Sequence, residues 1–176
     1  MHEEHRRGDF LISTDPGRLD VAAVHAFLSG TYWARGVAIE IVARSLRNSL
    51  SFGLYLGERQ VGLARVITDR ATFGYVADVY ILEPYRGLGL AKWLMTCVVN
   101  HPDLQTVRRL LLATRDAHPL YAAFGFRPLR APNDHLELRP PGAIPGECEA
   151  VASQSAGDRW SNRCTCDQTE GNTNNG

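Results

Sequence analysis

The stretch that decides the fold is V-Y-I-L-E-P-Y-R-G-L-G-L-A, residues 79 to 91. An apolar run ends at Glu83-Pro84, a turn with two spaced glycines follows, and an apolar helix begins near Leu88. Gly87 and Gly89 lack a Cβ, so a ligand can approach the backbone and successive N–H groups can point at one anion. The helix would aim its unsatisfied N–H groups and positive dipole end at the same point. The stretch therefore predicts a strand, a phosphate-binding turn and a helix.

A glycine pair between a strand and a helix can also serve backbone geometry alone, so a second segment matters. Residues 110 to 126, L-L-L-A-T-R-D-A-H-P-L-Y-A-A-F-G-F, predict a buried strand, a loop, a short helix and a return strand. Together the two segments resemble the GNAT superfamily of acyl-CoA-dependent N-acyltransferases. The family signature for the pyrophosphate of coenzyme A, R/Q-x-x-G-x-G/A, is matched by Arg86, Gly89 and Ala91. The later pattern A-x-x-L-Y-x-x-x-G-F is matched by Ala117, Leu120, Tyr121, Gly125 and Phe126.

The rest of the sequence predicts a mixed α/β sheet. Two helices, one opening at Asp15-Pro16 and one over 37 to 47, precede strands at 50 to 56, 61 to 68 and 73 to 82. After them we expect a helix over 88 to 100, a strand over 110 to 113, a short helix over 119 to 124, and closing strands at 126 to 129 and 135 to 138. The resemblance implies this order as a fold of α+β type, with a mostly antiparallel sheet, helices on both faces, and a splayed fourth and fifth strand that admit acyl-CoA.

Length and charge restrict the class of protein. The 176 residues, 44% of them hydrophobic, suffice for one domain with a core and are too few for two ordinary ones. The 19 acidic and 19 basic residues cancel, so no overall field attracts nucleic acid or an anionic membrane. The N-terminus is polar and no apolar run approaches the length of a membrane span, which predicts a cytoplasmic protein without a signal peptide.

We expect three regions: a flexible N-terminus over 1 to 8, a GNAT-like N-acetyltransferase domain over 9 to 139, and a disordered tail over 140 to 176. The tail is rich in Ser, Gly, Asn, Thr and Asp and lacks the apolar density that would offset the entropy of ordering it. Cys97, within the apolar helix, is interpreted as a small buried hydrophobe. The other three cysteines lie in the tail without further ligands at metal-binding spacing, so we predict no metal.

Tyr121 is the candidate general acid. A phenol is protonated at neutral pH and can give its proton to the thiolate that leaves when an amine attacks a thioester. The residues alone also allow Tyr121 to be an ordinary core aromatic. The family's catalytic tyrosine occupies this position, so the resemblance favours the acid.

Asp78 is the candidate general base that accepts the proton of the amine. It lies in the otherwise apolar run A-D-V-Y-I-L, where burial would raise the pKa of a carboxyl group. The family often places an acidic residue on this strand as a base or water-positioner, whereas the alternative is an aspartate paired with an arginine. Both remain open here. His118 is a rival base or substrate contact close to Tyr121, or else a surface histidine in a loop.

The coenzyme A contacts follow from the resemblance. It implies that backbone groups of Val79, Tyr80 and Ile81 pair with the pantetheine arm and support the carbonyl. The pyrophosphate contacts would come from the turn residues Arg86, Gly87, Leu88, Gly89, Leu90 and Ala91. Lys92, in the first turn of the helix, either adds positive charge or stays solvated.

The acceptor wall of the family is built from the N-terminal helices and their connection. Here that connection reads S-G-T-Y-W-A-R-G, where Tyr32 and Trp33 could stack on a substrate or could join the two helices. We expect transfer of acetyl from acetyl-CoA to a primary amine, on a small molecule or a protein, by direct attack in a ternary complex. The alternative is a non-catalytic acyl-CoA-binding or sensing module. Many relatives of this size pair as dimers, so a homodimer is one expectation.

Overall fold

The computed structural model describes residues 2 to 138, and its centre is a six-stranded sheet in which every strand lies beside its neighbour in sequence. Each neighbouring pair among the first five strands is antiparallel, and the sixth strand is parallel to the fifth. The strands are β1 Glu4–Arg7, β2 Phe10–Ser13, β3 Leu50–Leu56, β4 Arg59–Thr68, β5 Phe73–Ile81 and β6 Arg109–Leu111. The mixed, mostly antiparallel sheet predicted from the sequence is confirmed.

Within residues 2 to 138, four α-helices accompany the sheet: α1 Val21–Leu28, α2 Ile39–Arg47, α3 Leu90–Asn100 and α4 His118–Ala122. The buried side chains form two clusters. Residues of α3 pack against Phe52 and Leu54, whereas residues of α1 and α2 pack against Leu63 and Tyr80. Because Leu63 pairs with Gly53, between Phe52 and Leu54, the two clusters lie on opposite faces of the sheet. The pleat of β3 and β4 thus sorts the helices onto both faces.

The first helix begins later than predicted. Asp15-Pro16 opens only a 3-10 turn, Pro16–Arg18, in which the Asp15 carboxylate accepts from the Gly17 N–H. Leu19 is extended, and Asp20 then caps α1 by accepting from the Ala23 N–H at 2.9 Å. Two caps within a few residues make two short elements, because each cap satisfies the free N–H groups of its own turn.

Both ends of the described chain differ from the prediction. Glu4–Arg7, expected to be flexible, forms β1 because its backbone finds a partner in β2. The closing strands predicted at 126 to 129 and 135 to 138 do not form. Pro128 and Pro132 lack the N–H that a strand ladder needs, and the chain makes a 3-10 turn at Pro132–Asp134 instead.

The chain divides into two units, Met1–Asp134 and His135–Gly176. Of the second unit only 135 to 138 are described, and they form neither helix nor strand. The tail predicted to be disordered, with its three cysteines, lies outside the described residues. Among residues 2 to 138, no helix is long and apolar enough to cross a membrane.

Candidate active site

The glycine turn lies at the N-terminus of α3 and has the geometry of an anion cradle. Gly87 and Gly89 adopt positive φ angles of 81° and 73°, which favour glycine. Gly89 is the N-cap of α3, and the first turn of α3 contains no acidic residue. Within the described chain no group accepts a hydrogen bond from the backbone N–H groups of residues 87 to 92, and a Cβ on Gly87 would meet open space. These donors lie at the positive end of the helix dipole, where an anion is stabilised.

The side chains around the turn mostly serve its structure. Arg86 donates from Nε to the carbonyl of Ile81 at 3.1 Å, which holds the turn against the end of β5. Leu90, the first residue of α3, is buried in the core, whereas Leu88 and Lys92 are exposed. The turn therefore presents mainly backbone donors to a ligand.

The predicted pantetheine strand is β5, and its side chains belong to the core. Tyr80 and Ile81 are buried, and the Tyr80 ring stacks on Phe27 with centroids 3.8 Å apart. Val79 is half-buried against the cluster under α3. Pairing of β5 with β6 ends at Tyr75 and Leu111, so further along β5 the backbone has no strand partner on that side among the described residues. The backbone, rather than the side chains, is what β5 offers a ligand here.

Asp78 lies in a β-bulge of β5. Leu63 pairs with Tyr80 and Arg65 with Ala77, so Asp78 and Val79 together face the single residue between Leu63 and Arg65. The φ of Asp78 is +52°, a left-handed conformation that aspartate tolerates better than most residues. The bulge ends the regular alternation of β5 and turns the Asp78 side chain toward Arg65.

An ion pair engages the Asp78 carboxylate. Arg65 Nε donates to Asp78 Oδ2 at 2.7 Å, and the two side chains are only 11% and 10% exposed. Trp33 Nε1 donates to Oδ1 at 3.3 Å, and Arg65 Nη1 donates to Ser49 Oγ at 3.0 Å. The pairing of this aspartate with an arginine, one of the two alternatives left open by the sequence, is present. The pair links Trp33, from the connection between α1 and α2, to the middle of the sheet.

Tyr121 lies on α4 and is 9% exposed. Its ring packs edge-on against Phe126, with centroids 5.9 Å apart. Burial raises the pKa of the Tyr121 hydroxyl above its ordinary value of 10.0, and the neighbouring Tyr32 and Asp116 add to the rise. No group in the described part of the chain hydrogen bonds with this hydroxyl. It is therefore a protonated donor at neutral pH that is still available to a ligand.

The aromatic pair predicted for the acceptor wall lies on the same side as Tyr121. Tyr32 and Trp33 pack edge-on with centroids 4.8 Å apart and are 39% and 41% exposed. The Arg115 guanidinium stacks over the Tyr32 ring at 4.2 Å. Trp33 contacts Asp78, and Tyr32 is near enough to Tyr121 to affect its pKa. The structure thus brings Tyr32, Trp33, Asp78 and Tyr121 into one neighbourhood, with His118 exposed at the start of α4.

Sequence reasoning missed Arg65 and Arg115. Arg65 was readable in principle, because a lone arginine in the apolar strand run V-G-L-A-R-V-I-T needs a buried partner. Arg115 gave no such signal, since a charged residue in a polar loop is ordinary. No group of three or more His, Cys, Asp or Glu residues that could hold a metal occurs among residues 2 to 138.

Comparison with known proteins is consistent with this geometry. A family model described as an acetyltransferase (GNAT) domain matches residues 47 to 128. A protein of Gibberella zeae that is provisionally named an acetyltransferase is 38% identical over 138 residues, which cover 65% of this chain and 77% of that protein.

Solved structures share the fold. A crystal structure from Xanthomonas campestris pv. campestris, of a protein provisionally assigned to the GNAT family, is 45% identical with a TM-score of 0.74, covering 77% of this chain and 96% of that one. A predicted acetyltransferase from Clostridium acetobutylicum, crystallised with acetyl-CoA, is 16% identical with a TM-score of 0.55. The match covers 79% of this chain and 96% of that one. The second likeness is one of fold alone.

Proposed function

Since the chain belongs to the GNAT acetyltransferase family, we propose that it transfers the acetyl group of acetyl-CoA to a primary amine by direct attack within a ternary complex. The observation that carries the proposal is the glycine turn, whose N–H groups have no acceptor among residues 2 to 138 and lie at the N-terminus of α3. An array of donors without internal acceptors suits the pyrophosphate of coenzyme A. Tyr121 and Asp78 then lie on the side where the amine would enter.

The fit of acetyl-CoA follows from the chain's own groups. Residues 86 to 92 would hold the pyrophosphate, and the backbone of Val79, Tyr80 and Ile81 would pair with the pantetheine arm where β5 has lost its neighbour. The opening beyond Tyr75 and Leu111 is the proposed acyl-CoA cleft. Acetyl-CoA supplies an activated thioester, so no further activation of the acetyl group is needed. A Clostridium acetobutylicum protein that shares the fold was crystallised with acetyl-CoA, which supports acetyl-CoA as the ligand proposed here.

Tyr121 is assigned as the acid. When the amine nitrogen bonds to the thioester carbon, the carbon–sulfur bond breaks and the sulfur departs with its electron pair. The Tyr121 hydroxyl donates its proton to that sulfur, and a raised pKa keeps the proton available throughout the neutral range. The tyrosinate regains a proton from solvent through the exposed mouth beside Tyr32 and Trp33.

Asp78 is assigned as the residue that positions the amine through water. Its two carboxylate oxygens already accept from Arg65 and Trp33, so both are engaged by donors. Its negative charge still orients the incoming amine and the water that carries away the amine's proton. Asp78 also fixes Trp33 at the entrance, so the same contact orders the acceptor wall.

Direct attack is favoured over an acetylated enzyme. Cys97 is the cysteine within the described residues, and burial raises the pKa of its thiol to about 11. A buried thiol that stays protonated at neutral pH is not a nucleophile. The acetyl group therefore passes to the amine without resting on this residue.

Product detection by mass spectrometry tests the proposal. The purified protein is mixed with acetyl-CoA and a panel of amines: amino acids, small amines, and peptides with a free N-terminus or lysine. We expect one class to gain an acetyl group in proportion to the free coenzyme A released. Binding of acetyl-CoA without acetylation of any amine would support the sensing module instead, and absence of binding would contradict both.

Substitution of Gly87 separates strain from ligand binding. We expect Gly87→Ala to cost roughly 1 kcal/mol of unfolding free energy, because φ is positive there. We also expect acetyl-CoA affinity to fall on the order of 10-fold, since one hindered hydrogen bond to a charged group is worth about 1.5 kcal/mol or more. Titration calorimetry gives the affinity and urea denaturation the stability.

Gly57→Ala is the matched control for Gly87→Ala. Gly57 has a φ of +57° in the turn between β3 and β4, and a Cβ there would also meet open space. It should lose similar stability and keep its affinity for acetyl-CoA. Equal losses of affinity in the two variants would contradict the assignment of the glycine turn.

A further inference from the structure

Arg7 lies beside the glycine turn although it is far from it in sequence. It is the last residue of β1 and pairs with Phe10 at the start of β2. Its Nη1 and Nη2 atoms lie 3.6 and 3.8 Å from the position that a Cβ on Gly89 would take. Phe10 packs edge-on against Tyr85, just ahead of the turn, with centroids 6.3 Å apart. The N-terminal hairpin is thus placed against the start of α3.

The position of this guanidinium is electrostatically unfavourable without an anion. A cation is disfavoured at the N-terminus of a helix, where the dipole is positive. The first turn of α3 has no acidic residue, and no carboxylate among residues 2 to 138 pairs with Arg7. Arg86 is less available to an anion, because its Nε donates to the Ile81 carbonyl and its backbone N–H donates to the Glu83 carbonyl. The unpaired guanidinium and the free N–H groups both indicate that an anion belongs beside Gly89.

We propose that Arg7 binds the pyrophosphate of coenzyme A together with the N–H groups of the glycine turn. The inference rests on the proposed function, since it assigns a new residue to the same ligand. Arg7 precedes residues 9 to 139, the segment expected to form the acetyltransferase domain, so the contact would come from β1, outside that segment. Phosphate oxygens suit this position because a guanidinium can donate two parallel hydrogen bonds to them.

Arg6 provides a matched control on the same strand. Adjacent strand residues point to opposite faces, and Arg6 faces away from Arg7, pairing with Glu4 at 3.8 Å while 72% exposed. Replacing either arginine removes one positive charge from β1. Only Arg7 lies against the turn, so a general effect of charge would appear in both variants and a specific contact in one.

The test is titration calorimetry with coenzyme A, dephospho-coenzyme A and pantetheine against the parent protein, Arg7→Gln and Arg6→Gln. Dephospho-coenzyme A keeps the pyrophosphate and lacks the 3′-phosphate, and pantetheine has no phosphate. We expect Arg7→Gln to weaken binding of the first two ligands on the order of 10-fold and to leave pantetheine unchanged. Arg6→Gln should match the parent for all three. Gln keeps much of the side-chain stem, and thermal unfolding checks that β1 remains folded.

Each other outcome has a definite meaning. Unchanged binding of coenzyme A by Arg7→Gln would overturn the inference and leave the proposed function intact. A loss confined to coenzyme A would assign Arg7 to the 3′-phosphate and overturn the pyrophosphate contact. Equal losses in Arg6→Gln would reduce the effect to general charge and overturn the contact as well. Failure of the parent protein to bind coenzyme A would overturn the proposed function and this inference with it.

Discussion

Replacement of Tyr121 by Phe is expected to lower kcat by about 10²- to 10⁴-fold, the range typical of a lost general acid. The hydroxyl is the single group removed, and the ring can keep its packing against Phe126. The KM for acetyl-CoA should change little, because the pyrophosphate and the pantetheine arm are bound elsewhere. Steady-state kinetics with the acceptor amine from the product screen measures both constants.

Tyr75→Phe is the control for this variant. Tyr75 is half-buried on β5 and pairs with Leu111 in the register of β5 and β6, so it loses a hydroxyl in the same fold. Its kcat should stay within about twofold of the parent, as expected for a substitution away from the reacting groups. A similar kcat in Tyr121→Phe and the parent would remove Tyr121 from the mechanism.

The pH profile gives a second readout of Tyr121. Its pKa is raised above the ordinary 10.0, so the phenol donates its proton at every pH below that value and loses it only above. The kcat of the parent should rise with pH as the amine loses its proton and should show no fall from Tyr121 below about pH 10. A descending limb between pH 7 and 9 that disappears in Tyr121→Phe would contradict the raised pKa.

Removal of Arg65 is expected to give the largest loss of stability. Arg65→Met leaves the Asp78 carboxylate unpaired at a site where both side chains are about nine-tenths buried, and breaking such a pair costs about 3 to 5 kcal/mol of unfolding free energy. The double variant Arg65→Met with Asp78→Asn should recover part of that loss, because no unpaired charge remains. Urea denaturation of the parent, both single variants and the double variant measures the coupling between the residues.

The pair Arg70–Asp103 supplies the comparison. Its Nη1 and Oδ2 atoms are 2.9 Å apart, close to the spacing in Arg65–Asp78, but its side chains are 57% and 38% exposed. Arg70→Met should therefore cost at most about 1 kcal/mol, as surface ion pairs do. Equal losses in Arg65→Met and Arg70→Met would show that burial of the Asp78 pair does not set its contribution.

Local patterns in the sequence located the parts of the candidate site that depend on adjacent residues. Gly87 and Gly89 act through their own backbone angles, so the glycine turn was recognisable from spacing alone. Tyr121 was found through the pattern around it, and its burial followed from the apolar neighbours Phe124 and Phe126. The strand over 50 to 56 has the predicted bounds, because a turn precedes it and another follows it, and its side chains pack on both faces of the sheet.

Contacts between residues that are distant in sequence could not be predicted from local patterns. The pairing of Asp78 with Arg65 depends on a bulge that shifts the register of β5, and no single residue announces that bulge. Arg7 meets Gly89 only because β1 folds onto the edge of the sheet. The polar residues at 1 to 8 gave no sign of this strand. The closing strands do not form for a local reason, since Pro128 and Pro132 disfavour a strand in this part of the sequence.

Intact-mass measurement of the protein together with its products tests the central claim most directly. The protein is exposed to acetyl-CoA alone, and then to acetyl-CoA with the acceptor amine identified by the product screen. Direct attack in a ternary complex predicts an unchanged protein mass in the first case, and acetylated amine with free coenzyme A only in the second. An acetyl group that settles on the protein without the amine and then passes to it when the amine is added would contradict the account.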